Sequence, residues 1–200
     1  MRTAIIITAA AALLLAGCAT PTGPVEVTRF NRASEGQSYG KGSFTVAMAD
    51  TAKGGELALS PYLAAVRQEM QRVGYTDDSN KGQIVAEVGV YSETLAPGQS
   101  RSPVSVGVGG QAGGGYRSGV GVGVGLDITN LINKPKPRVA TILSVRLINR
   151  GDQSVIWEGK ASQEASAGTP AAQPGIAAAK LASALFSGFP GKSGETISVK

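Results

Sequence analysis

Two neighbouring segments of alternating apolar and polar residues constrain the fold of this chain most strongly. They span residues 139–150 and 154–163, and the three residues between them, Gly151, Asp152 and Gln153, are typical of a tight turn. Successive side chains of a β-strand point to opposite faces, so each segment reads as a strand with one apolar face. Two strands this close in sequence pair as an antiparallel hairpin. The sequence therefore predicts a domain built on a sheet, with Trp157 as a core anchor on one face.

Three further segments show a strand-like pattern, and two show apolar residues at helical spacing. The strands are predicted at residues 25–30, 43–48 and 83–93. We expect the third strand to pair with the strand at 139–150.

The first helix is predicted to begin at Ser60 as N-cap, with Pro61 as its first helical residue, and to stop at Gly74. Its apolar face is formed by Leu63, Val66, Met70 and Val73. The second helix is predicted over residues 174–187, with Ile176, Leu181 and Leu185 as its buried stripe.

The order of these elements, β-β-α-β-β-β-α, predicts an α+β fold. We expect a two-layer sandwich in which a mainly antiparallel sheet of about five strands carries both helices on one face. The domain is predicted to span residues 25–190, with a glycine-rich hairpin insert at 100–130. Residues 191–200 are expected to form a polar C-terminal tail.

The N-terminus matches a bacterial lipoprotein signal. Residues 1–17 combine Arg2, a short apolar stretch and a Leu-Ala-Gly motif that ends immediately before Cys18, the one cysteine of the chain. We expect cleavage before Cys18, lipidation of its thiol (palmitate among the acyl chains), and a tether at residues 18–24. Ala19 resembles the residue found there in lipoproteins sorted to the outer membrane, so the predicted location is the periplasmic face of that membrane.

Composition argues against several chemistries. The chain has no histidine, which removes the commonest general base and metal ligand. Its net charge of +5 is scattered, so nucleic-acid binding is not expected. Short matches to known motifs at residues 38–41, 78–82, 107–112 and 191–193 each lack the structural context that their chemistry requires. We therefore expect no catalytic residues, no cofactor and no metal.

The insert is the most unusual segment of the sequence. Valine alternates with glycine or serine on both sides of a glycine-rich centre, which favours two strands with a nearly bare face. Three interpretations stay open: a flexible loop, a hairpin packed on its own domain, or a hairpin that docks on a partner or a membrane. For docking, by an envelope protein or a second copy, the candidate residues are Val106, Val108, Tyr116, Val120, Val122 and Val124.

Four features together resemble a known family. They are the lipidated start, the helix that ends in Val73-Gly74-Tyr75, the strand pair leading to residues 155–159, and the final helix that runs into Phe189-Pro190. The chain resembles bacterial lipoproteins that carry the domain of unknown function 4136. The resemblance implies a cell-envelope location and a compact α+β fold, and it implies no established activity.

The functional expectation is a lipid-anchored periplasmic lipoprotein that acts as a non-catalytic accessory or interaction module of the envelope. Two alternatives stay open. One is a carrier of a lipid or other apolar ligand, which needs a deep apolar pocket between helices and sheet. The other is an envelope hydrolase that works without histidine.

Overall fold

The structure is a computed structural model that describes residues 23–32, 39–50, 55–97 and 136–200. Within these ranges the elements follow one another as β1 (Val25–Asn31), β2 (Ser43–Met48), α1 (Glu56–Arg72), β3 (Thr76–Asp77), β4 (Ile84–Leu95), β5 (Arg138–Asn149), β6 (Val155–Ser166), a 3-10 turn (Pro170–Ala172), α2 (Pro174–Phe186) and β7 (Thr196–Val199). In the described part of the chain, no helix combines the length and apolar composition needed to cross a bilayer.

The strands form one mixed sheet in the order β3-β2-β4-β5-β6-β1-β7. The predicted hairpin is confirmed, because β5 and β6 pair antiparallel and place Leu147 opposite Trp157. The predicted pairing of β4 with β5 is confirmed as well, in a continuous register from Ile84↔Asn149 to Leu95↔Arg138. Strands β4, β5 and β6 have 12 residues each and form the centre of the sheet.

The prediction of a mainly antiparallel sheet of about five strands was incomplete. Strand β2 pairs parallel with β4, and β3 pairs parallel with β2. The reason is α1, which connects β2 to β4 as a crossover and so returns the chain in the same direction. The coarser prediction, an α+β fold with two helices packed on a sheet, is confirmed.

The C-terminal segment also differs from its prediction. Residues 191–200 were expected to be a tail, yet Thr196–Val199 forms β7 and pairs antiparallel with β1, with Val27 opposite Ile197. Strand β7 has four residues and alternates exposed with half-buried positions. A run this short carries too little alternation to be recognised from sequence alone.

The start of α1 was predicted wrongly. The helix begins at Glu56 with Gly55 as its N-cap, and Pro61 lies inside it. Because proline has no N–H, the carbonyl of Leu57 lacks its usual helical partner. The hydroxyl of Ser60 donates a hydrogen bond to that carbonyl at 2.9 Å. Ser60 therefore compensates for the proline inside the helix instead of capping its start. The stop at Gly74 is confirmed by its φ of +108°.

The core lies between the helices and one face of the sheet. Leu143, Val145 and Leu147 of β5 are fully buried there. In α2, the predicted core residues Leu181 and Leu185 are 0 % exposed, but Ile176 is 43 % exposed. Alanines take its place, namely Ala177, Ala178, Ala182 and Ala184. Their small side chains let α2 approach the sheet closely.

Candidate functional site at the tether end of the sheet

The two ends of the sheet differ in their packing. Both helices run in the same direction, with their C-terminal ends at the same end of the sheet. Helix α1 ends beside the end of α2, where a guanidinium nitrogen of Arg72 donates to the carbonyl of Phe186 at 3.4 Å. This end, which we call the closed end, also holds the beginnings of β4 and β6 at Ile84 and Val155. The opposite end, where the chain enters β1 at Val25, we call the tether end.

The closed end is filled by a cluster of six aromatic rings with centroid separations of 5.3 to 6.4 Å. Trp157 lies in it, stacked on Phe186 at 5.5 Å and 1 % exposed. Its indole N–H donates to the carbonyl of Pro190 at 2.9 Å. The prediction that Trp157 is a core anchor is confirmed. The other members are Tyr39, Phe44, Tyr75 and Phe189.

Arg29 closes the end of α2. It is 5 % exposed, and its guanidinium donates to the carbonyls of Leu185 at 2.9 Å and Ala184 at 3.0 Å. The last carbonyls of a helix carry partial negative charge and lack helical partners, so a cation there is stabilising. Burial lowers the pKa of Arg29, while the nearby carboxylate of Glu195 opposes that shift. The guanidinium is therefore engaged in structure and not available for a ligand.

Two glycines let the backbone pack tightly at the same end. A Cβ on Gly74 would lie 2.5 Å from the carbonyl oxygen of Gly40, and a Cβ on Gly40 would lie 2.4 Å from that of Val73. Both glycines have positive φ. The three sequence motifs behind the family resemblance, at residues 73–75, 155–159 and 189–190, thus meet at the closed end. They specify the packing there, and the buried hydroxyl of Tyr75 has no hydrogen-bond partner among the described residues.

A shallow groove lies on the face of the sheet opposite the helices. It has a volume of about 200 Å³ and is lined by Ala49, Asp50, Glu87, Gly89, Ser144 and Arg146. Three of its polar side chains have partners within the domain. Arg146 pairs with Glu87 at 2.9 Å, and the Ser144 hydroxyl donates to the carbonyl of Gly89 at 3.2 Å. Among the described residues, no group of three or more His, Cys, Asp or Glu could hold a metal ion.

The tether end holds the start of β1 and both ends of the connection between β4 and β5. Gly23 precedes β1, and its carbonyl accepts a hydrogen bond from the ammonium of Lys180 in α2. In the centre of the sheet, Leu95 at the end of β4 pairs with Arg138 at the start of β5. Both ends of the long β4–β5 connection therefore lie at the same end of the sheet as the tether.

The tether end also exposes large apolar side chains. In the described part of the chain, Leu57 is 88 % exposed, Ile176 43 % and Met48 42 %. Leu57 and Ile176 lie in the first turns of α1 and α2, and Met48 ends β2. The fourth exposed residue of this kind, Phe30, lies near the other end of β1, toward the closed end.

The family model for the domain of unknown function (DUF4136) matches residues 26–191, nearly the whole of the described domain. The chain belongs to this family.

Three further proteins are similar to all or part of this chain. An uncharacterized protein of Zymomonas mobilis is 46 % identical over 63 residues, which is 32 % of this chain and 24 % of that protein. A PDZ domain protein from Parabacteroides distasonis gives a TM-score of 0.47 at 13 % identity, covering 88 % of this chain and 39 % of that one. The dodecamer of a PelC variant from Paraburkholderia phytofirmans gives a TM-score of 0.41 at 14 % identity, covering 82 % of this chain and 95 % of that one.

Those three likenesses have limits. The chain matches only about a quarter of the length of the Zymomonas protein. Both structural likenesses have TM-scores below 0.5 and carry no argument about function.

The site residues predicted from sequence lie outside the described part of the DUF4136 protein. They are Cys18 and the insert residues Val106, Val108, Tyr116, Val120, Val122 and Val124. The exposed apolar residues at the tether end were missed. Ile176 was assigned to the buried stripe of its helix, and Leu57 precedes the predicted helix start, so its outward position was not visible in the sequence.

Proposed function

We propose that this DUF4136 protein is a lipid-anchored lipoprotein on the periplasmic face of the outer membrane. In this proposal its domain is a non-catalytic accessory module that binds a protein of the envelope or a second copy of itself. One observation carries the proposal: the start of β1, where the tether joins the domain, and both ends of the β4–β5 connection lie at the same end of the sheet.

The tether is short enough to hold the domain at the membrane. If Cys18 carries lipid, residues 18–24 separate the acyl chains from β1. Seven extended residues span at most about 25 Å. The start of β1 is therefore kept within about 25 Å of the lipid surface.

The hydrogen bonds that polar side chains already make within the domain support a non-catalytic role. Arg29, Ser144 and Arg146 are each bound to backbone or side-chain partners within the domain. The chain contains no histidine to act as a base near neutral pH. A hydrolase would need at least one activated nucleophile, and the groove beside Ser144 offers none in the described part.

The carrier alternative needs room between the helices and the sheet. Side chains that are 0 % exposed fill that layer, including Val66 and Met70 from α1 and Leu181 and Leu185 from α2. The large rings fill the closed end. An apolar ligand would have to displace this packing, so the interaction module is the better-supported function.

The connection between β4 and β5 provides the proposed docking segment. Because Leu95 and Arg138 are neighbours in the ladder, the insert leaves and re-enters the domain at adjacent positions. It can therefore bind a partner without disturbing the sheet. Edge-strand addition is the binding mode that alternating valines and glycines favour.

Cys18→Ser tests the anchor. We expect the variant to lose incorporation of labelled fatty acid and to leave the membrane fraction, because the thiol that carries the lipid is gone. The matched control is Ala19→Asp, which keeps the cysteine and places the inner-membrane retention residue after it. That variant should stay labelled and fractionate with the inner membrane. Unchanged labelling of Cys18→Ser would contradict the proposal.

A further inference from the structure

We infer that the tether end lies against the lipid surface, and that the exposed side chains of Leu57 and Ile176 enter the headgroup region. This inference rests on the proposed lipid anchor and adds an orientation to it. A lipid anchor alone would let the domain tumble on its tether, whereas two further apolar contacts would fix which side of the domain faces the bilayer.

The geometry places both side chains at the tether end. Both helices end at the closed end, and with a rise of about 1.5 Å per residue each extends roughly 20 to 25 Å toward the tether end. Their first turns therefore lie level with the beginning of β1. For α2, a hydrogen bond supports this placement, because the ammonium of Lys180 donates to the carbonyl of Gly23, which lies just before β1.

Both side chains point away from the sheet. Leu57 precedes the fully buried Val66 by nine positions, and Ile176 precedes the fully buried Leu185 by the same spacing. At 3.6 residues per turn, nine positions correspond to a rotation of about 180° from the buried side. Both residues thus lie on the outer side of two helices that contact each other, at the tether end, and we call this pair the apolar corner.

The size of this corner favours lipid over protein as the occupant. Two aliphatic side chains expose far less than the roughly 800 Å² that each partner contributes to a stable protein interface. A membrane needs no such area, because the acyl chains already hold the protein there and a few apolar side chains then orient it. The tether joins β1 at the same end of the sheet as this corner, which brings the lipid surface within reach of it.

The tether end carries exposed charges of both signs. The acidic residues are Asp50 and Glu56, and the basic residues are Lys136 and Lys200. An electrostatic attraction to anionic lipid is therefore not expected to drive the contact. We expect the orientation to persist at high salt and in vesicles of low anionic content.

Spin labels test the orientation. Cys18 is consumed by lipid, so a cysteine introduced elsewhere is the one free thiol. Leu57→Cys and Ile176→Cys would each carry a nitroxide in the full lipidated protein, reconstituted into phosphatidylethanolamine and phosphatidylglycerol vesicles. Phe30→Cys is the matched control, because Phe30 is a similarly exposed apolar residue toward the closed end (54 %). Relaxation by oxygen and by a water-soluble nickel complex then reports the depth of each label.

The expected result is a severalfold higher ratio of oxygen to nickel accessibility at 57 and 176 than at 30. Equal, water-like ratios at all three positions would overturn the orientation while leaving the anchor intact. Spin–spin broadening at 57 and 176 would assign the corner to a second copy and overturn it as well. A protein that carries no lipid and does not float with the vesicles would refute the anchor itself, and the orientation with it.

Discussion

The closed end and the tether end of the sheet are built from the same strands and helices but are packed in different ways. At the closed end, six aromatic rings, a buried arginine and two glycines in backbone contact leave almost no freedom for substitution. At the tether end, three large apolar side chains are exposed, and the start of β1 lies with both ends of the β4–β5 connection. Fold specificity is concentrated at the closed end, and we propose that the interactions with other molecules are concentrated at the tether end.

The largest effect is expected from Trp157→Ala. The side chain is 1 % exposed and contacts Phe186 and Phe189, so truncation leaves a cavity at the centre of the closed end. We expect a loss of about 3–5 kcal/mol in the free energy of unfolding, measured by urea denaturation. Phe30→Ala is the control, because an exposed ring should change stability by less than about 0.5 kcal/mol. Equal effects of the two variants would remove the contrast between the ends.

A smaller effect is expected from Arg29→Met. The variant keeps the length of the side chain but leaves the carbonyls of Ala184 and Leu185 without its two hydrogen bonds. We expect a loss of about 2 kcal/mol in the free energy of unfolding. Arg146→Met provides the comparison, since it breaks the partly exposed pair with Glu87, which should contribute about 1 kcal/mol or less. If Arg146→Met proves the more damaging, Arg29 is not the cap described here.

A comparison of Gly74, which follows α1, with Gly188, which follows α2, separates the cost of a strained backbone from the cost of a steric clash. Gly74 and Gly188 both have positive φ, and alanine at either is strained by about 1–2 kcal/mol. A Cβ at Gly74 would also meet the carbonyl of Gly40 at 2.5 Å, whereas nothing lies within 4 Å of a Cβ at Gly188. Thermal melts of both variants should therefore show a clearly larger decrease in melting temperature for Gly74→Ala. Similar decreases would mean that the loop of Gly40 can move aside.

The sequence predicted the central part of the fold because the signals there are local. Residues 139–150 and 154–163 alternate over many positions and are joined by a tight turn, so their pairing needed no tertiary information. The position of Gly74 as a helix stop is local in the same way. These are the regions where propensity, pattern and packing agree.

The sequence-based predictions were wrong where contacts between distant parts of the chain determine the structure. Pro61 resembles a helix start, yet Ser60 satisfies the carbonyl that Pro61 leaves free, so the helix continues back to Glu56. Strand β7 exists because β1 offers an edge, which a four-residue segment does not reveal. Ile176 was expected to be buried, but alanines let α2 pack closely and turn Ile176 outward. The predicted site residues, Cys18 and the insert valines, remain predictions.

The central claim is that interaction belongs to the tether end and is separable from folding. The most direct test is the double substitution Val106→Lys and Val122→Lys, with in-cell crosslinking and thermal melting measured on the same lipidated protein. We predict a melting temperature within about 2 °C of the parent, since surface changes cost little, together with loss of the crosslinked neighbours or oligomers. Unfolding of the variant would show that the insert belongs to the core. Crosslinks that persist at an unchanged melting temperature would show that binding lies elsewhere.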